Sequence, residues 1–304
     1  MASSLSTAEL ICVAEPPRPV RPPAGAAYAL SSPQATGRAV AELTADDFAQ
    51  VLADPEAFWR AHAARPIKLS HSTLIVQAEL TLAGQPTRVA FKRASPKSIF
   101  KGLIDRLRGS RAERGWHLAR RLMACGVATA EPLLVCDERS YRLKPRSYLA
   151  TRWIDDSTNL YHWLEALAGK PPAVRARRLR QAALSVGQLL GSMHAGGIEN
   201  RDLKALNVLI VNRPASVDAY LVDLDGMRIR LNVDRQTRAR DLARLAAGLD
   251  AWPWTTRTDR LRALRAYLRV APLPDGDWKQ FWRAIAAASR RVHRRLKRSG
   301  RPLV

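Results

Sequence analysis

The chain reads as an α+β protein of two lobes with a cleft between them. Three observations predict this. At 304 residues and 47% apolar, it is long enough for one large or two smaller domains around a sizeable core. Strand-like runs broken by turn signals crowd the first half, and helical periodicity dominates after Ile154.

The elements follow in order. Residues 14–37 are Pro-rich without a period, and residues 1–40 as a whole are expected to be a disordered tail. The first lobe spans 41–153. It opens with a short helix in E-L-T-A-D-D-F-A-Q-V-L, where Thr44 can cap and two aspartates favour the first turn. Strand-like runs R-P-I-K-L-S-H-S-T-L-I-V-Q-A-E-L and T-R-V-A-F-K-R-A flank a turn at Ala83-Gly84-Gln85-Pro86, which predicts an antiparallel meander. The basic stretch K-S-I-F-K-G-L-I-D-R-L-R-G-S-R leads into a helix, A-E-R-G-W-H-L-A-R-R-L-M. A strand pair is expected at P-L-L-V-C-D and S-Y-L-A-T-R-W-I.

The second lobe, 154–289, is mostly helical. Leu179, Ala183, Val186, Leu190 and Met193 fall on one helical face, and Gly196-Gly197 ends that helix. A polar loop N-R-D-L-K-A-L-N follows, then strands V-L-I-V and A-Y-L-V-D-L-D around a turn near Asn212–Asp218. Residues 290–304 read as a separate basic tail.

Charge and cysteines narrow the setting. Lys and Arg number 50 against 27 Asp and Glu, a net charge of +23, which implies an anionic partner without choosing among them. Cys12, Cys125 and Cys136 make neither a disulfide framework nor a paired metal spacing, which suits a reducing cytoplasm. A basic n-region and a long apolar segment are both missing from the N-terminal residues, and no window approaches a membrane span.

Three motifs can carry chemistry, and phosphoryl transfer needs all that they supply. Lys92 ends the strand V-A-F-K, where an ammonium can pair with the α/β-phosphates of a nucleotide. In R-D-L-K-A-L-N, Asp202 can accept the proton of an attacking hydroxyl, Lys204 can sit beside the transferring phosphoryl, and Asn207 can ligate magnesium through its carbonyl oxygen. Asp223, in L-V-D-L-D-G, is the carboxylate that would bridge Mg²⁺ to the nucleotide. Asp225 is either a second metal ligand or a turn cap, the cap being the simpler expectation.

In this order V-A-F-K, S-R-A-E-R-G-W, G-V-A-T-A-E-P-L-L-V, H-A-G-G-I-E-N-R-D-L-K-A-L-N-V-L-I, Y-L-V-D-L-D-G-M-R-I and R-A-R-D-L-A-R-L resemble the landmarks of the protein-kinase-like superfamily. More narrowly, they resemble the lipopolysaccharide core kinases, the Kdo and heptose kinases of Gram-negative bacteria. The resemblance runs from about residue 42 to about residue 250. It implies a protein-kinase-like fold with a small antiparallel-sheet N-lobe and a larger helical C-lobe. It also implies an ATP- and Mg²⁺-dependent kinase acting on a sugar hydroxyl of lipopolysaccharide core or a related glycolipid.

The chain departs from the superfamily pattern in three places. Asn200 stands where the loop usually has His, which is mainly structural. The glycine-rich phosphate loop is missing, and Ser70, Ser72 and Thr73 could offer hydroxyls and amides in its place. Glu113 is the candidate for the helix acid that pairs with Lys92, with Gly115 close to the same position.

A glycolipid acceptor would place the protein on the cytoplasmic face of the inner membrane. The amphipathic stretch from Lys97 to Arg108 and the cations from Arg290 to Arg301 are the candidates for touching an anionic surface. Nucleic acid finds no support, because zinc spacing, a helix-turn-helix and an aromatic sheet motif are all lacking. Two alternatives stay open: a kinase of the same fold acting on protein Ser/Thr or a small molecule, and a pseudokinase that only binds.

Overall fold

The computed structural model describes residues 27–62, 66–70, 73–95, 109–139 and 145–298. The stretch Lys97–Arg108 therefore lies outside the described residues, as do residues 1–26, Ser72 and the chain after Arg298.

The first lobe is a seven-stranded antiparallel sheet. Its strands are β1 (Ala27–Ser31), β2 (Ala35–Val40), β3 (Pro66–Ser70), β4 (Thr73–Leu82), β5 (Gln85–Ala94), β6 (Pro132–Glu138) and β7 (Ser147–Arg152), in the order β1-β2-β6-β7-β5-β4-β3. The hairpin β1–β2 corrects the expectation of a disordered segment up to residue 40. Its turn is closed locally, the Ser32 hydroxyl oxygen accepting from the backbone N–H groups of Gln34 (3.1 Å) and Ala35 (2.9 Å). Tyr28 and Leu30 lean on the lobe's core while Ala35, Ala39 and Val40 are buried in it, an alternation that the surrounding prolines mask in average composition.

The expected helix start is observed. In α1 (Ala45–Ala53) the Thr44 side chain accepts from Asp47 N at 3.2 Å, and Phe48, Val51 and Leu52 are buried. Helix α2 (Pro55–Ala61) follows with Asp54 as its cap and proline in the first turn. The β4–β5 hairpin turns on Ala83 and Gly84, both at positive φ (49° and 76°), as a type I′ turn requires.

Helix α3 (Arg111–Ala124) joins the two halves. Ala112 and Trp116 pack into the core of the sheet lobe, whereas Leu118 and Leu122 belong to the core of the helical lobe. Burying side chains of this size contributes roughly 1.5–3 kcal/mol each, so α3 is held from both sides.

The second lobe contains β8 (Ser157–Asn159), α4 (Leu160–Ala168), α5 (Pro172–Ala195), β9 (Ile198–Asn200), β10 (Val208–Asn212), β11 (Val217–Leu221), β12 (Met227–Ile229), α6 (Arg235–Gly248), α7 (Arg257–Val270) and α8 (Trp278–Arg298). Two small sheets, β11-β10-β8 and β12-β9, carry the polar loops. Helix α7 lies directly on α5. A Cβ added at Gly187 would stand 2.3 Å from Ala263 O, and one at Gly191 would stand 2.8 Å from Tyr267 O, so glycine is what allows this approach. Residues 290–298 continue α8 and are no separate tail, because Phe281, Ile285 and Ser289 keep one face of that helix buried up to the cationic run.

Candidate active site

Between the lobes lies a cleft of about 720 Å³. Ile75, Ala90, Leu149 and Thr151 line it from the sheet, Trp153 and Ile154 from the segment joining the lobes, and Leu209 and Val222 from a strand of the small sheet and the residue after its neighbour. Lys92, Asp202, Lys204, Asn207 and Asp223 all open into this one space. These five of the predicted residues are thus brought together from near the end of strand β5 and from two loops.

The loop from Asn200 to Asn207 is built on a buried anchor. Asn200 is fully buried in β9, and its Oδ1 accepts from Asp202 N at 2.9 Å. Its own N–H donates to Asp241 Oδ2 at 2.7 Å, from the middle of α6. Asp241 is itself only 1% exposed and also accepts from Arg244 (3.1 Å) and from His194 Nε2 (3.4 Å). Burial above all holds the His194 imidazole below its ordinary pKa, although the nearby Asp241 carboxylate favours its protonation. Its Nδ1 lies 2.9 Å from the Tyr267 hydroxyl, so the neutral ring takes that proton and gives Nε2–H to Asp241. Asp202 then emerges from this anchor half-exposed, paired with Lys204 at 2.9 Å.

Asn207 is fixed on both sides. Its Nδ2 donates to Asp202 O at 2.9 Å, which leaves the amide oxygen as the acceptor. Its backbone O accepts from Val222 N at 3.0 Å, which sets Asn207 beside the segment that carries Asp223. Asp223 has φ 57°, an uncommon conformation for a residue with a Cβ and one that clusters at working sites. Gly226 lies against the loop as well. A Cβ there would stand 2.7 Å from Asp202 Cβ and 3.0 Å from Asp202 N. A carboxylate, an amide oxygen and room for phosphate oxygens form a donor set that suits Mg²⁺, which needs few protein ligands.

Three sequence expectations need correction. Glu113 does not reach Lys92; it pairs with Arg38 at 3.2 Å. Positions 113 and 115 are roughly 200° apart around a helix, and Arg111, Ala112, Gly115 and Ala119 are the positions of α3 that face the cleft. Lys92 instead meets Asp223 Oδ1 (3.5 Å) and Asp225 Oδ2 (3.2 Å). Asp225 is no turn cap: the cap position of its one-turn 3₁₀ helix is Asp223, and the Asp225 carboxylate also holds Arg111. Thr73 is a strand residue paired on both sides, with Ser70 and Ala94, and it is buried outside the cleft lining.

Sequence reasoning passed over Asp241, Gly226 and Arg111. The segment R-A-R-D-L-A-R-L was among the landmarks of the resemblance, but its lone acid, Asp241, was given no role.

Fold and site together define the class: this is a kinase-like phosphotransferase, a sheet lobe above a helical lobe with polar loops in the cleft between. The family model of the lipopolysaccharide kinases (Kdo/WaaP) matches residues 88–285, and the chain belongs to that family. Among solved structures it is similar to "WaaP in complex with acyl carrier protein", at 24% identity and TM-score 0.57, over 78% of this chain and 92% of that one. It is also similar to the PknI kinase domain of Mycobacterium tuberculosis, at 18% identity and TM-score 0.43, over 74% of this chain and 94% of that one. No curated protein matches the chain by sequence.

Proposed function

We propose that this protein transfers the γ-phosphoryl group of ATP to a sugar hydroxyl of lipopolysaccharide core or a closely related glycolipid. One observation carries this reading. Within the family match, Asp202, Asn207 and Asp223 are held around a single cleft by their own backbone and side-chain cross-links.

The apolar walls Ile75, Ala90, Leu149 and Leu209 suit a flat purine ring. Lys92 would pair with the nucleotide phosphates. Asp202, half-exposed at the mouth, would accept the proton of the sugar hydroxyl, and Lys204 beside it would stabilise charge on the phosphoryl group. Asn207 Oδ1 and the Asp223 carboxylate would hold Mg²⁺, which when bound neutralises phosphate charge.

The acceptor lies at a membrane surface in this reading, and the charge distribution suits that. Arg290, Arg291, Arg294, Arg295, Lys297 and Arg298 are all exposed along the end of α8. Each cation near an anionic surface adds about 1 kcal/mol. Among the described residues no helix is long and apolar enough to cross a membrane.

The test is phosphate transfer from ATP to purified lipopolysaccharide core, with protein and small-sugar acceptors in parallel. Asp202→Ala should lower turnover about 10²-fold or more while nucleotide binding persists; Asp223→Ala should abolish Mg²⁺-dependent nucleotide binding. Phosphate appearing only on protein, or full activity of both variants, would refute the proposal.

A further inference from the structure

We propose that Asp225 positions the Lys92 ammonium, in the place of a carboxylate that α3 does not present to it, and that Arg111 ties this pair to α3. The inference rests on the kinase reading above and assigns a residue that the reading leaves without a role.

The cleft-facing positions of α3 bear no carboxylate: they are Arg111, Ala112, Gly115 and Ala119. Gly115 packs so tightly on β7 that even a Cβ would lie 3.1 Å from Leu149 Cδ2. Glu113 is turned away to Arg38. The acid on Lys92 therefore comes from the opposite lobe, from the turn directly after Asp223.

Both Asp223 and Asp225 touch Lys92, at 3.5 and 3.2 Å, but they are not equivalent. Asp223 stands beside Asn207, where a metal would engage it. Once engaged, that carboxylate shares its charge with the metal and holds the ammonium less firmly. Asp225 carries a second cation, Arg111 from the first turn of α3, whose side chain is only 20% exposed. That guanidinium anchors the Asp225 carboxylate where Lys92 meets it. The row Lys92–Asp225–Arg111 therefore links β5, the turn after Asp223 and the start of α3. It couples the placement of the phosphate-binding ammonium to the approach of the two lobes.

The test uses the full chain with Mg²⁺ and ATP as probes, reading phosphate transfer to lipopolysaccharide core and ATP binding by calorimetry. Asp225→Asn should raise the KM for ATP about five- to tenfold, the loss of one half-screened charge-assisted contact. The Mg²⁺ concentration giving half-maximal rate at saturating ATP should stay at the wild-type value. Asp225→Glu should recover most of the loss, and Arg111→Met should raise the KM for ATP in the same direction by about threefold.

An Asp225→Asn enzyme with wild-type KM and kcat would overturn the proposal. So would a defect that excess Mg²⁺ repairs, since Asp225 would then be a metal ligand. If Asp225→Asn fails to fold by circular dichroism, Arg111→Met decides: an unchanged KM for ATP overturns the proposal and a raised one supports it. A wild-type chain that binds no Mg²⁺·ATP would instead refute the underlying kinase reading, and this inference with it.

Discussion

Replacing Asp241 with Asn tests whether the loop is held from beneath. The change keeps shape and removes charge. Every group that the carboxylate meets is a donor: Asn200 N–H at 2.7 Å and His194 Nε2 at 3.4 Å on one oxygen, and Arg244 at 3.1 Å on the other. Whichever way an amide is turned, its NH₂ faces a donor. The cost therefore has two parts, the weakening of a buried charge-assisted bond and a donor left opposite a donor, each about 1.5–3 kcal/mol. Together they come to about 3–6 kcal/mol, a large share of the 5–15 kcal/mol typical of a folded domain. Urea denaturation should show that loss, and kcat should fall because the Asn200–Asp202 link is displaced, with a smaller change in ATP affinity. A variant within about 1 kcal/mol of wild type, with unchanged kcat, would refute the reasoning.

Three other perturbations bear on the same account. Gly226→Ala should lower kcat about 10²-fold with ATP binding retained, since the added methyl displaces Asp202 and misplacement of about 1 Å has that effect; unchanged kcat would mean that the contact at 2.7 Å relaxes elsewhere. Glu56→Gln should destabilise the sheet lobe by about 2–4 kcal/mol. This buried carboxylate faces Arg93, Arg146 (3.2 Å), Arg60 (3.1 Å) and the Tyr148 hydroxyl (3.0 Å). Burial pushes its pKa up, but the hydrogen bonds from Arg93 and Tyr148 outweigh this and hold it below the carboxylate range, so its stabilisation is present above the unfolded pKa and lost on acidification. The depressed pKa of His194 has a different window: the unfolded chain binds more protons near its ordinary value, so stability should be full above about pH 6.5 and fall below it. Thermal melts across that range should show this slope, and His194→Gln should flatten it.

Much of the cleft was legible because its parts are local. The Ala83–Gly84 turn fixes where Lys92 falls along its strand, and the spacing of Asp202 and Asn207 lies within a single loop. What stayed hidden depends on partners far along the chain or on helix phase. Asp241 meets Asn200 across 41 residues, and its segment, although a landmark of the resemblance, does not show which distant group its acid would hold. Glu113 was read as facing Lys92 because two residues of helix phase separate the cleft face from the outer face, and sequence periodicity does not resolve that at the first turn of a helix. The β1–β2 hairpin and the end of α8 were lost to composition, in one case to proline and in the other to arginine, where a side-by-side pattern of buried residues was the better guide.

The central claim is that this cleft puts phosphate on a lipopolysaccharide sugar with Asp202 as the base. Mass spectrometry of lipopolysaccharide core from cells lacking the protein, complemented with wild type or with Asp202→Ala, tests it most directly. The account predicts that the core gains a single phosphate with wild type alone. An identical core from wild-type and Asp202→Ala cells would contradict it.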